Sequence, residues 1–161
     1  MRIWSTRKTV HASRAAVLRL LTEPQEIERW APVPFELLEL DGGRLATGSH
    51  ALVRGRLAGR SVEFEVDVLE ASHERLSLVA DGPVLINVDY ALRPASEGSE
   101  VRATVSVCGG GFVGRMLAAA TEALLGAGAL QSSIERLCRA SRLRSPPNRA
   151  LHPGSRRACF R

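Results

Sequence analysis

Hydrophobic and polar residues change their spacing three times along this chain. The opening segment IWSTRKTVHAS is rich in β-branched residues and alternates, which predicts a strand that ends near Ser13. The next segment, RAAVLRLLTEPQEIERW, places apolar residues at helical spacing, and Pro24 divides it into two short helices. We expect these helices to end before Ala31-Pro32, because a proline forces the residue before it into extended backbone.

From Phe35 onward the spacing changes to a period of two, interrupted by turn signals such as Asp41-Gly42-Gly43 and Asp81-Gly82-Pro83. This spacing predicts consecutive antiparallel strands. The predicted strands cover roughly residues 35–41, 47–58, 60–71, 75–80, 84–93 and 100–108.

After Gly109-Gly110-Gly111 the chain becomes helical again, from Phe112 to about Arg142, with apolar residues recurring at threes and fours. Gly126 and Gly128 weaken the middle of this long helix by about 1 kcal/mol each relative to alanine, so we expect a bend or hinge there. The order of elements predicts an α+β fold in which one curved antiparallel sheet wraps a long C-terminal helix.

The hairpin over residues 47–71 contains Gly59-Arg60, which suits a two-residue type II′ turn with glycine first. That turn would pair Leu57 with Val62 and direct the apolar residues of both strands inward. On the outer face it would place Arg54 and Arg56 opposite glutamates, which accounts for both arginines without catalysis.

The inward face of the predicted sheet is mainly valine, alanine and glycine, which leaves room between sheet and helix. A cavity and a solid core filled by helix side chains are both open. Tyr90 lies on the inward face and could orient a ligand carbonyl or bond to backbone. Trp30 could close an opening or plug the core, and the faces of the first strand leave the orientation of His11 undecided.

At 161 residues, 45% hydrophobic and 24% charged, the chain has the length and composition of one globular domain. Its net charge of +5 comes from the last 20 residues, which hold six of the 22 basic residues and no acid. Residues 1–141 therefore carry 16 basic and 17 acidic residues, and global basicity is no evidence of sequence-specific nucleic-acid binding. The prolines and arginines after residue 142 predict a disordered tail over residues 143–161.

The sequence lacks the features of several classes of protein. No stretch approaches 18 uninterrupted apolar residues and the N-terminus has no apolar signal segment, so we expect a cytoplasmic protein without membrane insertion. Three cysteines with no C-x-x-C pair, four scattered histidines and the absence of phosphate-binding glycine motifs predict neither a metal nor a cofactor. No pattern favours an oligomeric state.

Several diffuse motifs carry a family resemblance across residues 3–142. They are V-x-A-S at the end of the first strand, L-x-x-P…W in the short helices, G-x…V-x-E in the sheet and G-S-E-V before the last strand. With the element order, these resemble the SRPBCC (START-like) superfamily, and most closely its polyketide cyclase/dehydrase and lipid-transport group.

The resemblance implies a helix-grip fold over residues 1–142, with seven strands around the C-terminal helix and a hydrophobic cavity between them. Carried over by position, the ligand-binding residues would be Trp30, Val53, Phe64, Val66, Ile86, Val88, Tyr90, Leu117 and Leu124.

Three functions follow as hypotheses. The first is a carrier that sequesters a small apolar, lipid-like or polyketide-like molecule. The second is a polyketide cyclase, aromatase or dehydratase in which Tyr90 or His11 moves a proton. The third is a regulatory or chaperone-activator-like module that binds a protein partner through the arginine-rich tail.

Overall fold

The computed structural model describes residues 1–31 and 34–144, and within them one seven-stranded antiparallel sheet carries four α-helices on its inner side. The strand order is β1-β7-β6-β5-β4-β3-β2. The elements are β1 (Arg2–Val10), α1 (Arg14–Thr22), α2 (Pro24–Trp30), β2 (Phe35–Leu40), β3 (His50–Leu57), β4 (Arg60–Ala71), β5 (Arg75–Asp81), β6 (Leu85–Ala95), β7 (Gly98–Cys108), α3 (Gly111–Gly126) and α4 (Ala129–Arg144). The α+β class and the helix-grip architecture are confirmed.

The two short helices begin where the sequence predicts. The Ser13 side chain accepts a hydrogen bond from the amide of Ala16 at 3.2 Å, which caps α1. Pro24 stands in the first turn of α2, where its missing N–H removes no helical hydrogen bond. The two helices therefore form a corner that packs against α4.

The β3–β4 hairpin has a different turn from the predicted one. Ala58 and Gly59 both adopt positive φ, at 50° and 76°, so they form the centre of a type I′ turn that closes with Leu57 opposite Arg60. The register is therefore displaced by two residues, and the predicted pair of Leu57 with Val62 is wrong. Because the displacement is even, every side chain keeps its predicted face, and Ala51, Leu57 and Phe64 are buried inside.

The long C-terminal helix is divided into α3 and α4, which meet at an angle of 54°. Gly128 has φ of 91° at the break, a conformation that other residues adopt only with strain. The predicted bend between Gly126 and Gly128 is confirmed. Among the described residues no single helix is long and apolar enough to span a membrane, and only α3 and α4 taken together across their bend have the required length and composition.

The predicted tail over residues 143–161 falls, from residue 145 on, outside the described residues. The helix α4 continues to Arg144, two residues beyond the predicted domain limit at residue 142. The division into a domain and a tail stays a prediction.

Candidate functional site

An apolar pocket of about 290 Å³ lies between the inner face of the sheet, α2 and the junction of α3 with α4. Its volume is close to the lower end of the range for small-molecule sites. Eight of the nine predicted ligand-binding residues line it, namely Trp30, Val53, Phe64, Val66, Ile86, Val88, Tyr90 and Leu124. The space that the small inward side chains leave is therefore a pocket.

Alternation along the strands explains why these residues meet. On β6 the residues Ile86, Val88 and Tyr90 point inward, while Asn87 and Asp89 point to the outer face. Asn87 Nδ2 donates to Ser106 Oγ at 3.2 Å on that outer face, and Asp89 pairs with Arg75 there. The polar residues of the strand are thus paired away from the pocket.

Trp30 and Tyr90 form the aromatic end of the pocket. Their rings pack edge to face with centroids 5.7 Å apart. The Trp30 indole donates to the carbonyl of Leu20 at 2.9 Å, and Ser133 Oγ donates to the Trp30 carbonyl at 2.8 Å. Burial raises the pKa of Tyr90 well above its usual value, although a hydrogen bond with Ser133 opposes the shift. The Tyr90 phenol therefore stays protonated across the physiological pH range.

The remaining polar groups of the pocket are few. Thr121 Oγ1 donates to the Leu117 carbonyl within α3 at 2.9 Å, so its hydroxyl is already paired. Arg56 lies at the exposed edge of the pocket and, with Ser61 rather than a glutamate opposite it, makes no ion pair with any described residue. No described lining residue is an aspartate, glutamate, histidine or cysteine. The pocket can bind apolar surface, and it offers no carboxylate or imidazole for proton transfer.

Two predicted site residues lie elsewhere. Leu117 is 2% exposed and buried in the core, and it does not line the pocket. His11 is exposed, and its Nδ1 is 3.8 Å from Glu97 Oε2 on the outside of the molecule. The inward face of β1 ends on buried Val10, so the next residue points outward. A proton-transfer role for His11 in the pocket has no support from this position.

Arg54, which the sequence assigns to the solvent face, is paired there, and so is His50. Arg54 donates to Glu63 at 2.8 Å and to Glu36 at 3.4 Å. His50 shares a hydrogen bond of 3.0 Å with Asp67, which raises the pKa of the imidazole. Both groups therefore have structural partners outside the pocket.

Sequence reasoning missed part of the lining. Leu76, Leu78 and Ala80 on β5 line the pocket, as do Ile27 on α2 and Leu125 on α3. The alternation of β5 has the same signal that identified the β6 residues, so the three residues of β5 could have been found. Across residues 1–31 and 34–144, no three histidine, cysteine or acidic side chains come together as a metal site.

Comparison with known families and structures agrees with this architecture. The chain belongs to the family described as polyketide cyclase / dehydrase and lipid transport, whose model matches residues 1–141. Its helix-grip fold is that of the SRPBCC superfamily. No curated protein sequence gives a significant match.

Solved structures share the fold at low sequence identity. Protein CV1439 from Chromobacterium violaceum is 18% identical with a TM-score of 0.67, and the match covers 88% of this chain and 98% of that one. Ara h 8.0201 is 10% identical with a TM-score of 0.60, covering 88% and 98%. DynU16, a protein of the dynemicin biosynthetic locus, is 22% identical with a TM-score of 0.55, covering 85% of this chain and 46% of its own.

Proposed function

We propose that this protein is a carrier that binds a small apolar molecule in the pocket between the sheet, α2 and the α3–α4 junction. The family includes lipid-transport proteins as well as cyclases and dehydrases, so membership supports apolar ligand binding and leaves the chemistry open. One observation favours a carrier: the hydrogen-bonding side chains of Trp30, Tyr90 and Thr121 are all satisfied inside the protein.

A cyclase or dehydratase needs a group that exchanges protons with its substrate near neutral pH. Tyr90 is held protonated and bonded to Ser133, and His11 lies outside the pocket. Arg56, the charged residue at the pocket edge, does not lose its proton under physiological conditions. The proposed carrier accordingly acts by removing the apolar surface of its ligand from water. A cytoplasmic location stays a prediction.

The affinity follows from the area that a ligand can bury. A molecule of two or three fused rings that buries roughly 250 Å² gains about 6 kcal/mol at about 25 cal/mol/Å², which corresponds to a Kd of tens of micromolar. We therefore expect micromolar binding of a neutral apolar dye such as N-phenyl-1-naphthylamine, read as an increase of its fluorescence.

The test compares two variants in which an alanine is replaced by leucine, one on β5 and the other on the neighbouring strand β6. Ala80 lines the pocket, so Ala80→Leu should fill part of it and weaken dye binding about tenfold. Ala91 alternates with the inward residues of β6, so Ala91→Leu adds the same side chain on the outer face and should leave binding unchanged. Dye that does not bind, or that binds both variants equally, would show that the pocket is not the ligand site.

Native mass spectrometry of the protein purified from its own host tests the carrier assignment in the cell. We expect a co-purifying apolar molecule that Ala80→Leu loses and Ala91→Leu retains. Conversion of a poly-β-ketone by the protein, abolished in Tyr90→Phe, would instead establish the cyclase alternative.

A further inference from the structure

The helix α3 has an apolar face that nothing in the described structure covers. Phe112 is 77% exposed, Val113 51%, Met116 43% and Leu124 44%. Surface leucines and phenylalanines are common singly, whereas a contiguous patch of them marks an interaction site. We call this the outer face of α3. It consists of Phe112, Val113, Met116, Ala119, Ala123 and Leu124.

Side chains on the outer face of α3 are unequal in size along the helix. The first half carries Phe112 and Met116, while the same stripe in the second half carries Ala119 and Ala123. When two such helices run antiparallel, the large residues of one meet the small residues of the other. A parallel pair would place Phe112 against its own copy and leave the alanines apart. The size gradient therefore fits an antiparallel partner with the same sequence.

The charges beside this face fit the same arrangement. Arg115 and Glu122 lie on one flank of α3, seven residues apart in the sequence. Arg115 Nε donates to the Gly111 carbonyl at 3.1 Å, and the residue makes no ion pair within the described chain. Among the described residues, the ion pairing of Glu122 is limited to a 3.9 Å contact with exposed Arg2. In an antiparallel two-fold pair each Arg115 approaches the partner's Glu122, and the contact is made twice.

A lipid surface fits the outer face of α3 less well. Helices that lie on membranes carry several lysines or arginines along the polar flank. The helix α3 has one arginine and one glutamate, so its flanks have no net charge. A second copy of this chain would cover the apolar residues and would also pair with the charged ones.

We propose that the protein forms a two-fold symmetric homodimer in which the outer faces of α3 pack antiparallel. One helix on each side is a small contact, below the roughly 1,200 Å² of a standard interface, so we expect reversible association at micromolar concentrations. The partner's Val113 then lies against Leu124, which also lines the edge of the apolar pocket. The proposal requires no ligand, so failure of the proposed carrier function leaves it untouched.

Sedimentation equilibrium of the full chain tests the association. We expect a concentration-dependent dimer that Ala119→Glu abolishes, because the centre of the interface cannot hold two carboxylates. Arg115→Glu and Glu122→Arg should each weaken the dimer about fivefold to tenfold, and the double variant should restore it. Circular dichroism of each variant checks that the helices remain folded.

Cysteine cross-linking tests whether the two α3 helices run antiparallel. One cysteine at a time is introduced on the outer face of α3, in a variant that also carries Cys108→Ser and Cys159→Ser. A short bifunctional maleimide should cross-link Ala119→Cys, whose copies meet near the two-fold axis. It should not cross-link Phe112→Cys, whose copies lie about 20 Å apart along the helix axis at a rise of about 1.5 Å per residue. Cross-linking of both variants would show a parallel pair and overturn the proposal.

Two further outcomes would overturn it. One is a monomer up to millimolar concentration. The other is a monomer that binds vesicles of phosphatidylcholine and phosphatidylglycerol and loses this binding in Met116→Glu, because the outer face of α3 would then meet a membrane.

Discussion

The two halves of the C-terminal helix have equal length and opposite surfaces. Both α3 and α4 contain 16 residues. The helix α4 buries Ile134 and Leu137 completely and presents Glu135 and Arg139 to solvent. The helix α3 presents Phe112 and other apolar residues instead. Sequence continuity therefore does not imply a common role: α4 packs against β1 and the two short helices, whereas α3 packs against the sheet, borders the pocket and leaves one apolar face uncovered.

The largest predicted effect is a difference in stability loss between substitutions on the inner face of α4 and on the outer face of α3. Ile134→Ala removes a fully buried side chain and should lower the free energy of unfolding by about 2–5 kcal/mol. Met116→Ala removes a half-exposed side chain and should change it by less than about 1 kcal/mol in dilute protein. Urea unfolding measures both, and equal losses would contradict the burial of Ile134 and the exposure of Met116.

Buried hydroxyl groups on the two helices should also differ in how much they contribute to stability. Ser133 on α4 donates to the Trp30 carbonyl and hydrogen bonds with Tyr90, so Ser133→Ala should cost about 1–3 kcal/mol. Thr121 on α3 donates only to Leu117 in its own helix, so Thr121→Val should change stability by about 0.5 kcal/mol or less. Thermal unfolding of both variants checks this order, and a larger loss in Thr121→Val would reverse the comparison.

Replacing each of the two glycines at the break with alanine should change the stability of the protein in opposite directions. Gly128→Ala places a side chain at φ of 91° and should destabilise the protein by about 1 kcal/mol or more. Gly126 is the last residue of α3, and a methyl group added there would meet no other atom within 4 Å. Gly126→Ala should therefore stabilise the protein by about 0.5 kcal/mol. Chemical denaturation resolves the two signs. Stabilisation by both changes would mean that the break at Gly128 does not exist in solution.

The smallest predicted effect is a difference in the reactivity of two thiols, and it involves no change in stability. Cys108 is exposed just before α3, while burial within α4 raises the pKa of Cys138. In a Cys159→Ser variant at pH 8, Ellman's reagent should label Cys108 fast and Cys138 only as the protein unfolds. The raised pKa leaves less thiolate on Cys138 at that pH, in addition to its lower accessibility. Two equal rates would show that α4 opens as readily as the edge of the sheet.

Sequence patterns located most of the pocket because alternation needs no knowledge of the partner strand. Val53, Phe64 and Ile86 reach the pocket through the parity of their strands alone. Leu117 and Leu124 lie seven residues apart and have similar positions on a helical stripe. Leu117 is covered by the core, whereas Leu124 stands beside the break at the pocket edge. Helical spacing cannot separate these two positions, because burial depends on which neighbour packs there.

The sequence by itself determined the order of the elements, the inward faces of β3, β4, β6 and β7, and the place where the last helix bends. These features depend on local backbone preference and on the period of apolar residues. Tertiary structure decided the hairpin register, the outward position of His11 and the partners of Tyr90. It also decided that the outer face of α3 stays uncovered within one chain. Each of these depends on contacts between residues distant in sequence, which no local pattern specifies.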